Sequence, residues 1–212
     1  MNPIAIVVVD DHRVVSQSLK AYLESFADLR VVGTATSGEE LLARVGEWRP
    51  QIILQDLLLP GGIDGIETTR RVLDIAPQVR VIALTASLDE ARMMGVLRAG
   101  AVGYVRKDSD PEVLLAAVRA VAAGKTYIDP AVRQQIVRAG LPPEDLTPRE
   151  VEVLRHLALG RSNRDVAVAL TISEETVKTH VAHLLSKLQV ENRAQAIVQA
   201  LKRGIVALEE LD

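Results

Sequence analysis

Five short apolar runs in the first half of the chain constrain its fold more than any other feature. They are "IAIVVV" (4 to 9), "RVVGTA" (30 to 35), "QIIL" (51 to 54), "VRVIAL" (79 to 84) and "VGYV" (102 to 105). Each is continuous rather than alternating, the pattern of a strand covered on both faces. Between them, apolar residues fall at helical spacing: Val15, Leu19, Tyr22, Leu23 and Phe26, then Ile66, Val72, Leu73 and Ile75. Strand alternating with helix implies parallel pairing through right-handed crossovers. The expected fold is α/β, a doubly wound five-stranded parallel sheet with helices on both faces.

The pattern changes after about residue 127. Asp129-Pro130 and Pro142-Pro143 interrupt the chain, and only helical signals follow. This predicts a first domain over 1–127, a linker over 128–145 and a smaller all-α domain over 146–212. At 212 residues and 48% hydrophobic content, the chain has enough apolar material for two cores. Its apolar runs fall far short of the roughly 20 residues a membrane helix needs, and the N-terminus lacks the order of a signal peptide. A cytoplasmic protein without a membrane partner is expected. The absence of cysteine excludes disulfides and thiolate metal sites. Residues 146–212 carry nine basic and nine acidic residues, so any case for nucleic acid rests on where those charges sit.

In open parallel sheets, ligands bind at the carboxyl ends of the strands. Asp10 and Asp11 follow the first run, Asp56 the third, Thr85 the fourth and Lys107 the fifth. Each alone has a plain explanation. An Asp after a strand is commonly a helix N-cap, and a lone Lys there is commonly a solvated surface residue. Together they converge on one edge. Three clustered carboxylates repel one another unless a cation sits among them, and an oxygen-only set suits Mg²⁺. One carboxylate could then act as a nucleophile toward a phosphoryl group, with Lys107 stabilising its oxygens. His12, His156, His180 and His183 do not cluster with acids at ligand spacing, so no metal site is expected there. His12 reads as a neighbour of the acidic edge.

The segments "VVDDH", "QIILQDLLLPGGIDG", "VIALTAS" and "AGAVGYVRKD" resemble the receiver domain of bacterial two-component response regulators over about residues 3–123. That resemblance implies a flavodoxin-like sheet with Asp56 as phosphoacceptor. It implies Mg²⁺ held by Asp10, Asp11, Asp56 and the backbone carbonyl of Leu58, with Thr85 as switch hydroxyl and Lys107 as the phosphate-pairing lysine. Tyr104 matches the aromatic position that rotates with the switch. Three departures stand out: "PGGIDG" reads as one inserted residue, Gln55 replaces a common apolar residue, and Asp108 follows Lys107 where many receivers have proline. The loop is expected to bulge and the site to survive. Leu57, Leu58 and Leu59 make the loop after Asp56 unusually apolar, which suggests that Leu58 shields the phosphoryl group from water.

Further on, "LTPREVEVLRHLALG" opens with Thr147, Pro148 and Glu150 in capping-box order and closes at Gly160. "SNRDVAVAL" predicts a second helix from Ser162, and "TISEETVKTHVAHLLSKLQV" a third from Ser173. Two short helices joined by a tight turn form a helix-turn-helix, whose second helix can enter a major groove. On that helix Val177, Val181, Leu184, Leu185 and Leu188 have core spacing, while Lys178, Thr179, Ala182 and His183 fall elsewhere. Solvation alone would account for a few exposed lysines and histidines, and Glu174 and Glu175 weaken a purely electrostatic case.

Residues 146–206 resemble the LuxR-type helix-turn-helix, through "LTPRE", "SNRDVA", "TVKTH" and "KLQVENRAQA". The resemblance places Thr176, Lys178, Thr179 and Ala182 on the reading helix, and Ser162, Asn163, Arg164 and Lys187 are candidates for DNA backbone contacts. It makes the stripe Ala194, Ile197, Ala200 and Leu201 of a last helix over 194–206 a dimer contact. The whole chain thus resembles NarL/FixJ-type response regulators. Expected partners are a sensor histidine kinase, double-stranded DNA and a second copy of the chain. No enzymatic activity is expected beyond self-phosphorylation and dephosphorylation. A small-molecule phosphatase would want a second acid where Leu58 stands. A phosphorylation-independent regulator using the first domain only for dimerisation would have lost one of the acids, Thr85 or Lys107, and all are present.

Overall fold

The structure, a computed structural model, describes residues 3–86, 89–133, 146–202 and 205–206. Most of the expected linker, residues 134–145, lies outside them. The chain falls into two compact units, Met1–Ala123 and Gly124–Asp212.

In the first unit strands and helices alternate: β1 (Ile4–Val9), α1 (Arg13–Glu24), β2 (Leu29–Ala35), α2 (Gly38–Trp48), β3 (Ile52–Asp56), α3 (Gly65–Ile75), β4 (Arg80–Thr85), α4 (Glu90–Arg98), β5 (Gly103–Arg106) and α5 (Pro111–Ala122). The sheet runs β2-β1-β3-β4-β5, these strands pairing in parallel. It has six strands rather than the five expected, because the two-residue β6 (Tyr127–Ile128) adds to it. Two residues are too short to leave a periodic signal. The continuous apolar runs are buried as their pattern requires: Ile6 to Val9, Ile52 to Leu54, and Val81 to Ala83 are all inaccessible to solvent. Packing of α1 on β1 and β2, and of α5 on β3, β4 and β5, covers part of the sheet, while α2, α3 and α4 pack side by side.

Local capping fixes where helices begin. Ser37 Oγ accepts from the Glu40 amide at the start of α2, and Asp64 Oδ1 from the Glu67 amide at the start of α3. Asp89 caps α4 through the Ala91 amide. The N-cap of α1 is His12, whose side chain makes no capping bond. Neither Asp11 nor Asp56 is therefore used as a cap, which removes the plain explanation for both.

The second unit holds α6 (Pro148–Ala158), α7 (Asn163–Leu170), α8 (Glu174–Lys187) and α9 (Arg193–Lys202). The last helix ends before Ile205, short of the expected 206. Val153, Leu154, Leu157, Val166, Val177, Leu184 and Leu188 form the core. The turn between α7 and α8 is closed by Thr171 in the left-handed conformation and by the Ile172 amide donating to Ala167 O. Arg193 Nη2 donates to the carbonyls of Leu157 and Arg161, tying α9 to the end of α6. Burial pushes that guanidinium down to about 10.

At the start of α6 the capping box forms as the sequence predicts, and Glu150 does more than complete it. Its buried carboxylate accepts from the Thr147 amide at 2.8 Å, the Thr147 hydroxyl at 2.9 Å and Lys187 Nζ at 2.8 Å. Burial opposes the charged form, but these bonds outweigh it and hold the acid below its ordinary value near 4.5. A depressed folded-state pKa gives stability that is present above 4.5 and lost as pH falls through the folded value. Glu150→Gln is expected to cost this unit about 1–2 kcal/mol at pH 7. The deficit should shrink below pH 4.5 in urea unfolding followed by circular dichroism. An equal deficit at both pH values would show that only the cap geometry matters.

Candidate functional site

The carboxyl ends of β1, β3, β4 and β5 deliver the predicted groups to one edge. Asp10 and Asp56 are 0% and 2% exposed, and Lys107 Nζ lies 2.7 Å from Oδ2 of each. Asp11 is partly exposed beside them. The Leu58 amide donates to Asp56 Oδ1 at 3.1 Å, which fixes the carboxylate's orientation. Thr85 is 2% exposed, and its carbonyl accepts from the Lys107 amide at 2.7 Å, placing the base of the lysine against β4. The Tyr104 ring is fully buried. Burial raises its phenol above the usual range, with the Thr85 hydroxyl pulling the other way.

Electrostatics follow from this packing. Burial lifts the Asp56 carboxyl above the ordinary aspartate value, against the opposing pull of Lys107 and the Leu58 amide. For Lys107, burial works against the charge, but the hydrogen bonds it donates to Asp10 and Asp56 prevail and its pKa is raised. The ammonium therefore stays charged and bridges two buried acids. Ligand-capable atoms of Asp10, Asp11, His12 and Asp56 all lie within 4.8 Å of one another. The carboxylate oxygens suit a hard divalent cation.

His12 is nearer than the sequence suggested. Its Nδ1 is 3.0 Å from Asp11 Oδ1, and its amide donates to Asp10 Oδ1. It stands within the cluster, where adjacency to the doubled aspartate was the available signal.

The extra loop residue is absorbed away from the acids. Gly61 has φ 78°, the Ile63 amide donates to Glu39 Oε1 at 2.9 Å, and the Glu39 carboxylate packs against Gly62. That hydrogen bond also lowers the pKa of Glu39. Beyond it, Gly65 lies so close to the Asp56 carbonyl that no side chain would fit, which seats α3 against the end of β3. Gln55 is fully buried. Its amide nitrogen donates to Asp56 O at 2.8 Å, while its oxygen has no partner among the described residues. Of the three leucines after Asp56, Leu57 and Leu59 are core and Leu58 is 42% exposed. Asp108, standing where many receivers have proline, pairs with Arg106.

On the helical unit, Thr176, Lys178, Thr179 and Ala182 are exposed on α8, and Arg164 is exposed on α7. Ser162 is the N-cap of α7, in a capping box with Asp165, and Asn163 is half-buried. Lys187 is exposed but engaged by Glu150, so a phosphate there competes with a buried acid. Ala194, Ile197, Ala200 and Leu201 are all buried in this conformation. A dimer contact through them requires that they be uncovered. Glu175 was read from sequence only as a charge unfavourable to DNA, yet it lies in the middle of the exposed face of α8. Helical-wheel geometry was the signal that could have singled it out.

The response regulator receiver domain family matches residues 6–119, and the luxR family of bacterial regulatory proteins matches residues 144–200. The response regulator protein VraR of Staphylococcus aureus (strain NCTC 8325 / PS 47) is 35% identical over 207 residues, covering 96% of this chain and 99% of its own. The crystal structure of the response regulator ChrA, from a heme-sensing two-component system, is 37% identical with a TM-score of 0.55, covering 97% of this chain and 100% of that one. A structure of the response regulator RcsB in complex with DNA is 27% identical with a TM-score of 0.60, covering 95% and 99%. With both halves matched in order and relatives aligned over nearly its full length, this chain belongs to the two-component response regulators, a receiver domain followed by a LuxR-type DNA-binding domain.

Proposed function

We propose that the chain is a phosphorylation-activated transcription regulator that takes its phosphoryl group on Asp56 from a sensor histidine kinase. One observation carries the reading: Lys107 Nζ bridges the buried carboxylates of Asp10 and Asp56 at 2.7 Å, at the edge where Asp11 and Thr85 also converge. An Asp56 carboxylate oxygen attacks phosphorus as the P–N bond to the kinase histidine breaks, and the imidazole leaves with that electron pair. Asp10, Asp11, Asp56 and the Leu58 carbonyl would hold Mg²⁺, which would neutralise charge on the phosphoryl oxygens. Lys107 turns from the acids to a phosphoryl oxygen, and Thr85 donates its hydroxyl to another.

The resulting shift around Thr85 and Tyr104 favours a homodimer whose reading helices reach half-sites about 34 Å apart, roughly one DNA turn. Thr176, Lys178, Thr179 and Ala182 face the groove. Arg164, with Ser162, Asn163 and Lys187, approaches the backbone. Ala194, Ile197, Ala200 and Leu201 form the dimer contact once uncovered. Domain limits of 1–127 and 146–212 fit this division of labour. The regulator would act in the cytoplasm; among the described residues no helix is long and apolar enough to cross a membrane.

Intact-protein mass after incubation with Mg²⁺ and acetyl phosphate tests the chemistry. A gain of one phosphoryl group, roughly 80 Da, localised to the peptide holding Asp56, is expected. No gain with acetyl phosphate or with a kinase would leave a phosphorylation-independent regulator. A companion expectation concerns lifetime. Leu58 is the exposed leucine above a buried Asp56, so Leu58→Asn should dephosphorylate several-fold faster, as read by loss of the added mass over time. Equal lifetimes would remove the water-shielding role.

A further inference from the structure

The reading helix carries an acid where a DNA-binding surface should repel one. At about 100° per residue, Glu175, Thr179, Ala182 and Ser186 form a row diametrically opposite the buried Val177, Leu184 and Leu188. Glu175 opens that row in the first turn of α8, and the N-terminal residues of such helices are the ones that meet base edges. Its side chain is 81% exposed and its carboxylate lies 3.3 Å from Lys178 Nζ. A hydrogen-bond acceptor and a donor are thus presented side by side.

That arrangement is the complement of one base pair. In the major groove a C·G pair offers the cytosine N4 amine as donor and guanine O6 and N7 as acceptors, next to one another. We propose that Glu175 and Lys178 together read a C·G pair, Glu175 accepting from cytosine N4 and Lys178 donating to guanine. The assignment rests on the DNA-binding reading above. Lys178 offsets the repulsion between the carboxylate and the phosphates, so the acid costs little general affinity while excluding bases with an acceptor at its position. The competing explanation is that Glu175 only stabilises the helix N-terminus. Glu174 serves that end equally well from about 100° further round the helix, away from the exposed row.

Full-length protein, treated with Mg²⁺ and acetyl phosphate, would be offered duplexes with about 20 randomised base pairs, and the bound fraction sequenced. The parent should select cytosine over other bases by about tenfold at one position in each half-site. Glu175→Gln should lose that preference and turn toward adenine there, because an amide pairs with adenine N6 and N7. Other positions should not change. Lys178→Met should weaken selection at the same pair, and Glu174→Gln should select the parent's sites. Recovery of the other positions by every variant shows that the helix is intact. The proposal is overturned if Glu175→Gln keeps the parent's preference throughout, if it raises affinity uniformly, or if Glu174→Gln shifts the same position. If the parent enriches no sequence at all, the DNA-binding reading fails and the proposal with it.

Discussion

Asp56→Asn is expected to take up no phosphoryl group and yet, without divalent metal, to melt at a higher temperature than the parent at pH 7. The loss is chemical, since an amide oxygen is too weak a nucleophile to replace the carboxylate. The gain is electrostatic. Burial raises the folded-state pKa of Asp56 above the ordinary value of 3.8, and the Lys107 bridge does not fully offset it. A group whose folded pKa is raised contributes stability that is complete below the unfolded value and is lost as pH rises through the folded one. At neutral pH the ionised acid therefore works against the fold, and a neutral isostere relieves it. The melting temperature should rise by on the order of a few °C at pH 7, and the difference should close toward pH 4. Saturating Mg²⁺ should shrink the gap, because the metal binds the folded parent more tightly than the variant. Calorimetry at the two pH values, with a chelator present, reads the effect. A variant that melts lower at pH 7 would mean that the ion pair with Lys107 outweighs burial.

The same balance explains which parts of the fold were legible. The apolar runs announced the strands because the central ones, β1, β3 and β4, are sealed on both faces, while the edge strand β2 keeps only part of its run buried, and the order of elements left one family of topologies. β6 went unread because Tyr127 and Ile128 are too few to carry a period. The end of α9 was overextended, since "KRGIV" keeps apolar residues coming past Lys202, whereas the Ile205 amide bonds to Ala200 O and lies beyond the helix. Capping chemistry was read correctly where Ser or Thr stood before an acid, as at Thr147 and Glu150.

The candidate site was legible in its residues but not in its couplings. Asp10, Asp11, Asp56, Thr85 and Lys107 follow from strand ends alone, because a parallel sheet brings all its carboxyl ends to one edge. That Lys107 would bridge two acids depends on its side-chain path, which no spacing reveals. Glu39 bracing the inserted loop joins residues 24 apart in the chain. Lys187 looked free for phosphate because its partner Glu150 lies 37 residues away. The stripe on α9 has the same apolar period whether it faces a core or a second copy, so its burial could be learned only from packing.

Lys107→Met should separate the two tasks assigned to that lysine, by slowing phosphoryl transfer while tightening Mg²⁺. In the parent the ammonium sits 2.7 Å from oxygens of both Asp10 and Asp56, the acids proposed to hold the ion. A positive charge about 5 Å from a cation opposes it by roughly 3 kcal/mol per unit charge at an effective dielectric constant near 20, less whatever is relieved as the side chain moves away. Removing the charge while keeping the length of the side chain should strengthen Mg²⁺ binding by about tenfold in a calorimetric titration. The transition state loses its fixed cation, however, and mass uptake from acetyl phosphate should slow by about 10²- to 10³-fold. Opposite shifts in the two readouts would mark Lys107 as a group that competes with the metal in the resting state and joins it in the reaction. If affinity and rate fall together, the lysine instead holds Asp10 and Asp56 in place, and its charge is structural.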